Sequence, residues 1–232
     1  MTRAHLLTGA GSGIGAAVAD RLHGRGDALW LLARDQHRAD DLARRHPGAT
    51  LLVADLADLD AVARLTGLPD RLDSVLHVAG VVDLAAVADQ SPAALRQQVD
   101  VNLLAPAVLS RAALPAVRRA RGTFVFVGST AGLSASPRWS AYAAAKAGLR
   151  AFADSLRGEE AEHGVRVTTV FPGRTATPMQ EKVHEQEGRE YDAAAWIRPG
   201  TVADTVLHVL DLPEDATIPE VTLRPAAARR GR

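Results

Sequence analysis

TGAGSGIG, residues 8–15, carries a glycine at every second position from Gly9 to Gly15. Glycine loses the most backbone freedom on ordering, so a run this dense needs a physical reason. The apolar run AHLLT (4–8) leads into it, and the helical pattern AAVADRL (16–22) follows it. A strand, a glycine loop and a helix start in that order aim backbone N–H groups and a helix N-terminus at one point. That is an anion site, suited to a pyrophosphate. Bare glycines would let phosphates reach the backbone and let the helix pack on the strand. The same residues could form a tight βα turn and nothing more, but the flanks favour a dinucleotide.

Working outward, short apolar runs alternate with helical patterns. After AHLLT come ALWLLA (28–33), TLLVA (50–54), SVLHVA (74–79), TFVFVG (123–128), RVTTVF (166–171) and PEVTL (219–223). Most are continuously apolar, as strands covered on both faces must be. The expected fold is α/β, a single-domain Rossmann-type doubly wound parallel sheet with helices on both faces. Ser91 before Pro92 reads as an N-cap with proline at the first helical position. Val202, Val206, Val209 and Leu210 form one helical stripe that Pro213 closes. The expected domain spans 1–225, with 178–200 as a substrate lid or a loosely packed surface helix, and 226–232 as a disordered basic tail.

Composition narrows the function classes. Lysine plus arginine equals aspartate plus glutamate, 27 each, which gives no support for nucleic acid or an anionic membrane as partner. There is no cysteine, so no disulfide, thiolate nucleophile or thiolate metal site. No apolar stretch reaches the roughly 18 residues of a membrane helix, and no secretory leader pattern precedes the first strand. The chain is read as cytoplasmic. Its histidines lack ligand spacing, so no metal is expected, and no G-x-S-x-G elbow suggests a hydrolase.

Tyr142 and Lys146 are four apart in a helical pattern and share a face. Ser129 closes the fifth strand run, where doubly wound folds bind ligands. Thr8, Gly9, Gly13 and Gly15 give the spacing T-G-x-x-x-G-x-G, and this arrangement resembles the short-chain dehydrogenase/reductase family. Ser129, thirteen residues before Tyr142, and Asn102, in VDVNLLAP, fall at the family's matching positions. The resemblance runs from about residue 6 to 177. It implies a catalytic set of Asn102, Ser129, Tyr142 and Lys146 acting with a nicotinamide cofactor.

The roles follow from what carbonyl reduction requires. Tyr142 would deliver a proton to the oxygen as hydride reaches carbon. Lys146, together with the charge of the oxidised cofactor, should lower the phenol's pKa from its usual value near 10. The resemblance also has Lys146 bonding the nicotinamide ribose. Ser129 would hold the substrate oxygen, and Asn102 would position a water relaying protons to Lys146. The resemblance implies further cofactor contacts from Gly9, Ser12, Gly13, Ile14 and Gly15 in the loop, and from Asp55 and Leu56 at the adenine. Ala79 and Gly80 match the family's N-N-A-G, with His77 and Val78 in place of the asparagines. Pro172, Gly173, Thr175 and Thr177 match the turn that holds the carboxamide.

At the end of the second strand, neutral Ala33 precedes Arg34, where an NAD-preferring member would carry an acid. A guanidinium suits a 2′-phosphate, so the expected cofactor is NADP (NADPH). Trp139, Met179 and Trp196 could line an apolar substrate pocket or serve as core or subunit contacts. The function expected is an NADP(H)-dependent interconversion of a small-molecule carbonyl (ketone or aldehyde) and alcohol. The alternative is a catalytically silent NADP(H)-binding sensor or scaffold. Family analogy suggests a homodimer or homotetramer built on long helices at 92–119 and 140–163.

Overall fold

The computed structural model describes residues 2–226. The seven apolar runs form β1 (Ala4–Thr8), β2 (Ala28–Ala33), β3 (Thr50–Val53), β4 (Ser74–His77), β5 (Thr123–Val127), β6 (Arg166–Pro172) and β7 (Glu220–Leu223). They pair in parallel in the order β3-β2-β1-β4-β5-β6-β7. Because β1 lies between β2 and β4, the chain winds outward in both directions from it. The crossovers therefore leave a crevice at the carboxyl ends of β1 and β4, where such sheets hold ligands.

The helices between the strands are α1 (Gly13–Gly24), α2 (Gln36–Arg45), α3 (Leu59–Ala63), α4 (Pro92–Val99), α5 (Ala105–Ala120), α6 (Ser140–Glu160), α7 (Pro178–Glu187) and α8 (Pro199–Leu210). One face of the sheet is covered by α1 and α8, through Val18, Leu22, Val202, Val206 and Leu210 among others. The other is covered by α5 and α6, through Leu109, Val117, Leu149 and Leu156. Burial on both sides explains why the strand runs are apolar at successive positions rather than alternating. Among the described residues, no helix is long and apolar enough to cross a membrane.

Ser91 caps α4 by accepting a hydrogen bond from the Ala94 amide at 3.1 Å, with Pro92 in the first turn. The single helix expected over 92–119 is interrupted. A π-helical segment, Asp100–Leu104, separates α4 from α5. The extra residue per turn swings Asn102 inward, where it is buried. The long helix expected over 140–163 ends at Glu160, and 161–163 continue as a 3₁₀ turn. The segment 178–200 is more ordered than its irregular sequence suggested. Its first half is α7, whose Gln180, Val183 and His184 are buried, and a 3₁₀ turn at 193–195 leads towards α8. Residues 227–232 of the basic tail lie outside the described residues.

Candidate active site

The glycine loop is built first by the chain's own needs. The Thr8 hydroxyl accepts from the amides of Val78 and Ala79, each at 3.1 Å, and so ties the end of β1 to the end of β4. Gly9 has φ of 78°, and a Cβ there would stand 2.7 Å from the Ala79 nitrogen. A Cβ on Gly15 would overlap the Gly9 carbonyl, so α1 could not sit so close to the loop. Gly11 is different. Nothing lies within 4 Å of the Cβ it lacks, and its backbone opens directly onto the cleft.

That cleft has a volume of about 1200 Å³ and runs across the carboxyl ends of the strands. Gly9, Ser12, Gly13, Ile14 and Gly15 form one wall, with Ala79 and Gly80 beside them. Arg34, Asp55 and Leu56 lie at one end; Ser129, Tyr142, Lys146, Pro172, Gly173, Thr175 and Thr177 complete it. Asn102 is not on the surface of the cleft. It lies behind Gly80, whose missing Cβ would be 2.9 Å from Asn102 Oδ1 and 3.6 Å from Lys146 Nζ. Asn102 Oδ1 accepts from the Val81 amide at 3.0 Å, and Nδ2 donates to the Val81 carbonyl at 2.8 Å.

Tyr142 and Lys146 are both buried on one face of α6. Lys146 Nζ donates to the Val127 carbonyl at 2.8 Å and stands 5.8 Å from the centroid of the Tyr142 ring. Burial lowers the Lys146 amine to about 8. The Tyr142 phenol moves the other way: burial pushes it above its ordinary value, and a hydrogen bond with Ser129 draws it only part of the way back. The lowering expected from Lys146 is thus absent from the chain alone. The physical reason is that the amine is turned onto Val127 while the phenol loses its hydration. The Ser129 hydroxyl accepts from the Ala131 amide at 3.1 Å, which holds it beside the Tyr142 phenol.

At the far end, Arg34 is exposed, with Nε 3.4 Å from Asp35. Arg38, one turn along α2, lines the same end of the cleft and escaped sequence reasoning. Nothing in its charged, amphipathic helix distinguished it from its neighbours. Asp55 accepts from the Ala57 amide at 2.9 Å, a local turn that coexists with its place at the cleft. Thr175 is buried and donates to the Gly173 carbonyl at 3.0 Å. Thr177 starts α7, accepting from the Gln180 amide at 3.3 Å. A Cβ on Gly13 would stand 2.9 Å from the Thr177 methyl, so α7 begins against the glycine loop.

The two substituted positions after β4 have different environments. His77 is buried, with Nε2 2.9 Å from Ser110 Oγ, and it stacks on Phe126 with centroids 4.7 Å apart. Burial, with the Lys146 charge adding to it, lowers its pKa to about 3, so it is a neutral core group. Val78 packs partly buried against the core. Trp139 and Met179 line the cleft, whereas Trp196 lies behind it against Arg174 and His184.

A bare-glycine cradle open at Gly11, the N-terminus of α1 and two guanidiniums at the far end make a donor set suited to a phosphorylated dinucleotide. The sequence model of the short chain dehydrogenases matches residues 3–188. The chain belongs to the short-chain dehydrogenase/reductase family. As a short-chain dehydrogenase/reductase it is of the oxidoreductase class, and its family binds nicotinamide cofactors. An uncharacterized short-chain type dehydrogenase/reductase of Sinorhizobium fredii is 31% identical over 226 residues, covering 95% of this chain and 90% of that protein. A short-chain dehydrogenase from Streptomyces avermitilis superposes with a TM-score of 0.81 at 26% identity, over 96% of this chain and 88% of that one. An alcohol dehydrogenase from Thermococcus sibiricus, complexed with 5-hydroxy-NADP, superposes with a TM-score of 0.82 at 23% identity over 100% of both chains.

Proposed function

We propose that this short-chain dehydrogenase/reductase is an NADP(H)-dependent enzyme that interconverts a carbonyl and an alcohol, with Tyr142 as general acid and base. The observation that carries the reading is the grouping of Ser129, Tyr142 and Lys146 in one cleft, facing a glycine loop across the strand ends. When bound, the nicotinamide cofactor supplies or takes the hydride at carbon.

The chain's own residues handle everything at oxygen. Tyr142 holds a proton firmly, because burial raises its pKa, and is loaded to protonate an alkoxide as it forms. Lys146, largely cationic at neutral pH, stabilises the phenolate left behind. Ser129, whose hydroxyl is held by the Ala131 amide, donates its proton to the substrate oxygen and orients it. The Asn102 amide bonds Val81 in both directions and keeps one N–H and one lone pair with which to hold a water relaying protons to Lys146. The side chain fixes the rim at Gly80 and Val81.

The preference for NADP rests on Arg34 and Arg38 at the adenosine end, where two guanidiniums suit a 2′-phosphate dianion. Initial rates with NADPH and with NADH across a panel of ketones and aldehydes test the proposal, and turnover with preference for NADPH is expected. Tight NADPH binding without turnover on any substrate would favour a silent cofactor sensor instead. Arg34→Ala should narrow the NADPH-to-NADH affinity ratio by about tenfold, the scale of one lost charge-assisted contact. An unchanged ratio would remove Arg34 from the account.

A further inference from the structure

The end of the cleft beyond Tyr142 changes character within the width of one side chain. Close to the phenol it is apolar: Val82, Leu84, Val183 and Tyr142 form one buried cluster, with Trp139 packed against it. The Trp139 ring meets Tyr142 edge-on at 5.7 Å. Arg174 meets the same indole, its guanidinium 6.0 Å from the Trp139 centroid and 5.4 Å from that of Trp196.

Arg174 is one of several cations there. Arg138, Arg174, Arg189 and Arg224 line the cleft, and of its lining carboxylates, Asp41, Asp55 and Glu187, it is Glu187 that pairs with members of this group. Glu187 is shared. Its Oε1 accepts from Arg174 Nη2 at 2.7 Å, and its Oε2 is 4.0 Å from Arg189 Nη1. Arg138 donates to the Gln186 carbonyl at 2.9 Å. One carboxylate cannot neutralise two guanidiniums, and the pairing is incomplete: among the described residues Arg174 Nη1 has no acceptor and Glu187 Oε2 has no donor. With Arg174 and Arg189 both drawn to Glu187, the group keeps a net positive charge, and its buried polar atoms are only partly satisfied. The Arg174 side chain is 27% exposed and that of Arg189 is 70% exposed, so both can be approached from the cleft.

We infer that the substrate carries an anionic group, a carboxylate or a phosphate, separated from its reacting carbonyl by a short apolar chain, and that Arg174 with Arg189 binds it. The inference rests on the carbonyl–alcohol reading, since it places the carbonyl at Tyr142. The apolar chain lies along Val82, Leu84, Val183 and the Trp139 face. The anion then meets the guanidinium of Arg174, held against the two indoles, and competes with Glu187 for Nη2.

The test compares three substrates under NADPH that share three methylenes between the ketone and the terminal group: 5-oxohexanoate, its methyl ester, and the phosphate monoester of 5-hydroxypentan-2-one. An anionic member should exceed the ester in kcat/KM by about tenfold or more, chiefly through KM. Which anion leads separates carboxylate from phosphate. In the double variant Arg174→Gln/Glu187→Gln, which keeps a hydrogen bond across the pair, the anion-to-ester ratio should fall towards one. Arg189→Ser, at an exposed position, should reduce the ratio by a smaller factor. A wild-type ratio near one, or a ratio unaltered in both variants, overturns the inference.

A second readout is independent of turnover. Glutarate and glutaramide are titrated while tryptophan fluorescence is followed, since Trp139 and Trp196 flank Arg174. Saturable glutarate binding that the double variant loses, with no reduction of any substrate, would keep the anion site and reject the catalytic reading. Good turnover of the ester with no anion effect in either assay would do the reverse.

Discussion

Lys146 is a buried amine whose ordinary pKa of 10.5 falls to about 8 because water is withdrawn from it. Below that value both folded and unfolded chains hold the proton, and the burial penalty is felt in full. As pH rises from about 8 towards the ordinary lysine value, the folded chain releases its proton while the unfolded chain keeps it, so stability rises. Lys146→Met should therefore remove a pH-dependent gain of about 3 kcal/mol over that window. Urea unfolding of both proteins at about pH 7 and about pH 10 reads the difference. A difference between them that does not vary with pH would contradict the buried amine. Tyr142, Lys146 and Ser129 were legible as candidates because their types and spacings are distinctive. The state of Tyr142 was not, because its rise comes from burial by residues distant in sequence, such as Val82 and Val183.

At the scale of elements, the strands were the most readable feature, since burial on both faces writes itself as an unbroken apolar run. The glycine loop was readable for a different local reason, a dense glycine run set between a strand and a helix start. Its division of labour was not: Gly9 and Gly15 clear the way for the chain's own backbone, while Gly11 opens to the cleft. Gly15→Ala should press α1 away from the loop, costing about 2 kcal/mol or more of stability and weakening cofactor binding. Denaturant unfolding and an NADPH titration check both, and native stability with native affinity would show that the loop yields. The π-helical interruption at Asn102 left no signal in the sequence. Its hydrogen bonds to Val81 come from another part of the chain, and tertiary partners of that kind override helical periodicity. The order of α7 was obscured similarly, because its buried residues include Gln180 and His184, which read as polar.

Over the whole molecule, the sheet order brings the glycine loop, the end of β5 and the start of α7 to one cleft, although they are far apart in the sequence. Thr177 touching Gly13 and Asn102 standing behind Gly80 are products of that convergence. So is the arginine-rich wall around Glu187. These contacts were beyond sequence reading because they depend on how the crossovers are laid over the sheet, while the residues that meet there are ordinary threonines, arginines and a glutamate. The central claim is that Tyr142 moves the proton in a reaction the rest of the cleft positions. Tyr142→Phe removes one oxygen and leaves the ring packed on Trp139. The most direct measurement is NADPH-dependent turnover of this variant beside the wild type on the best carbonyl substrate, with NADPH affinity measured in parallel. The account predicts unaltered NADPH binding and a loss of turnover on the order of 100-fold or more. Turnover equal to that of the wild type would contradict it.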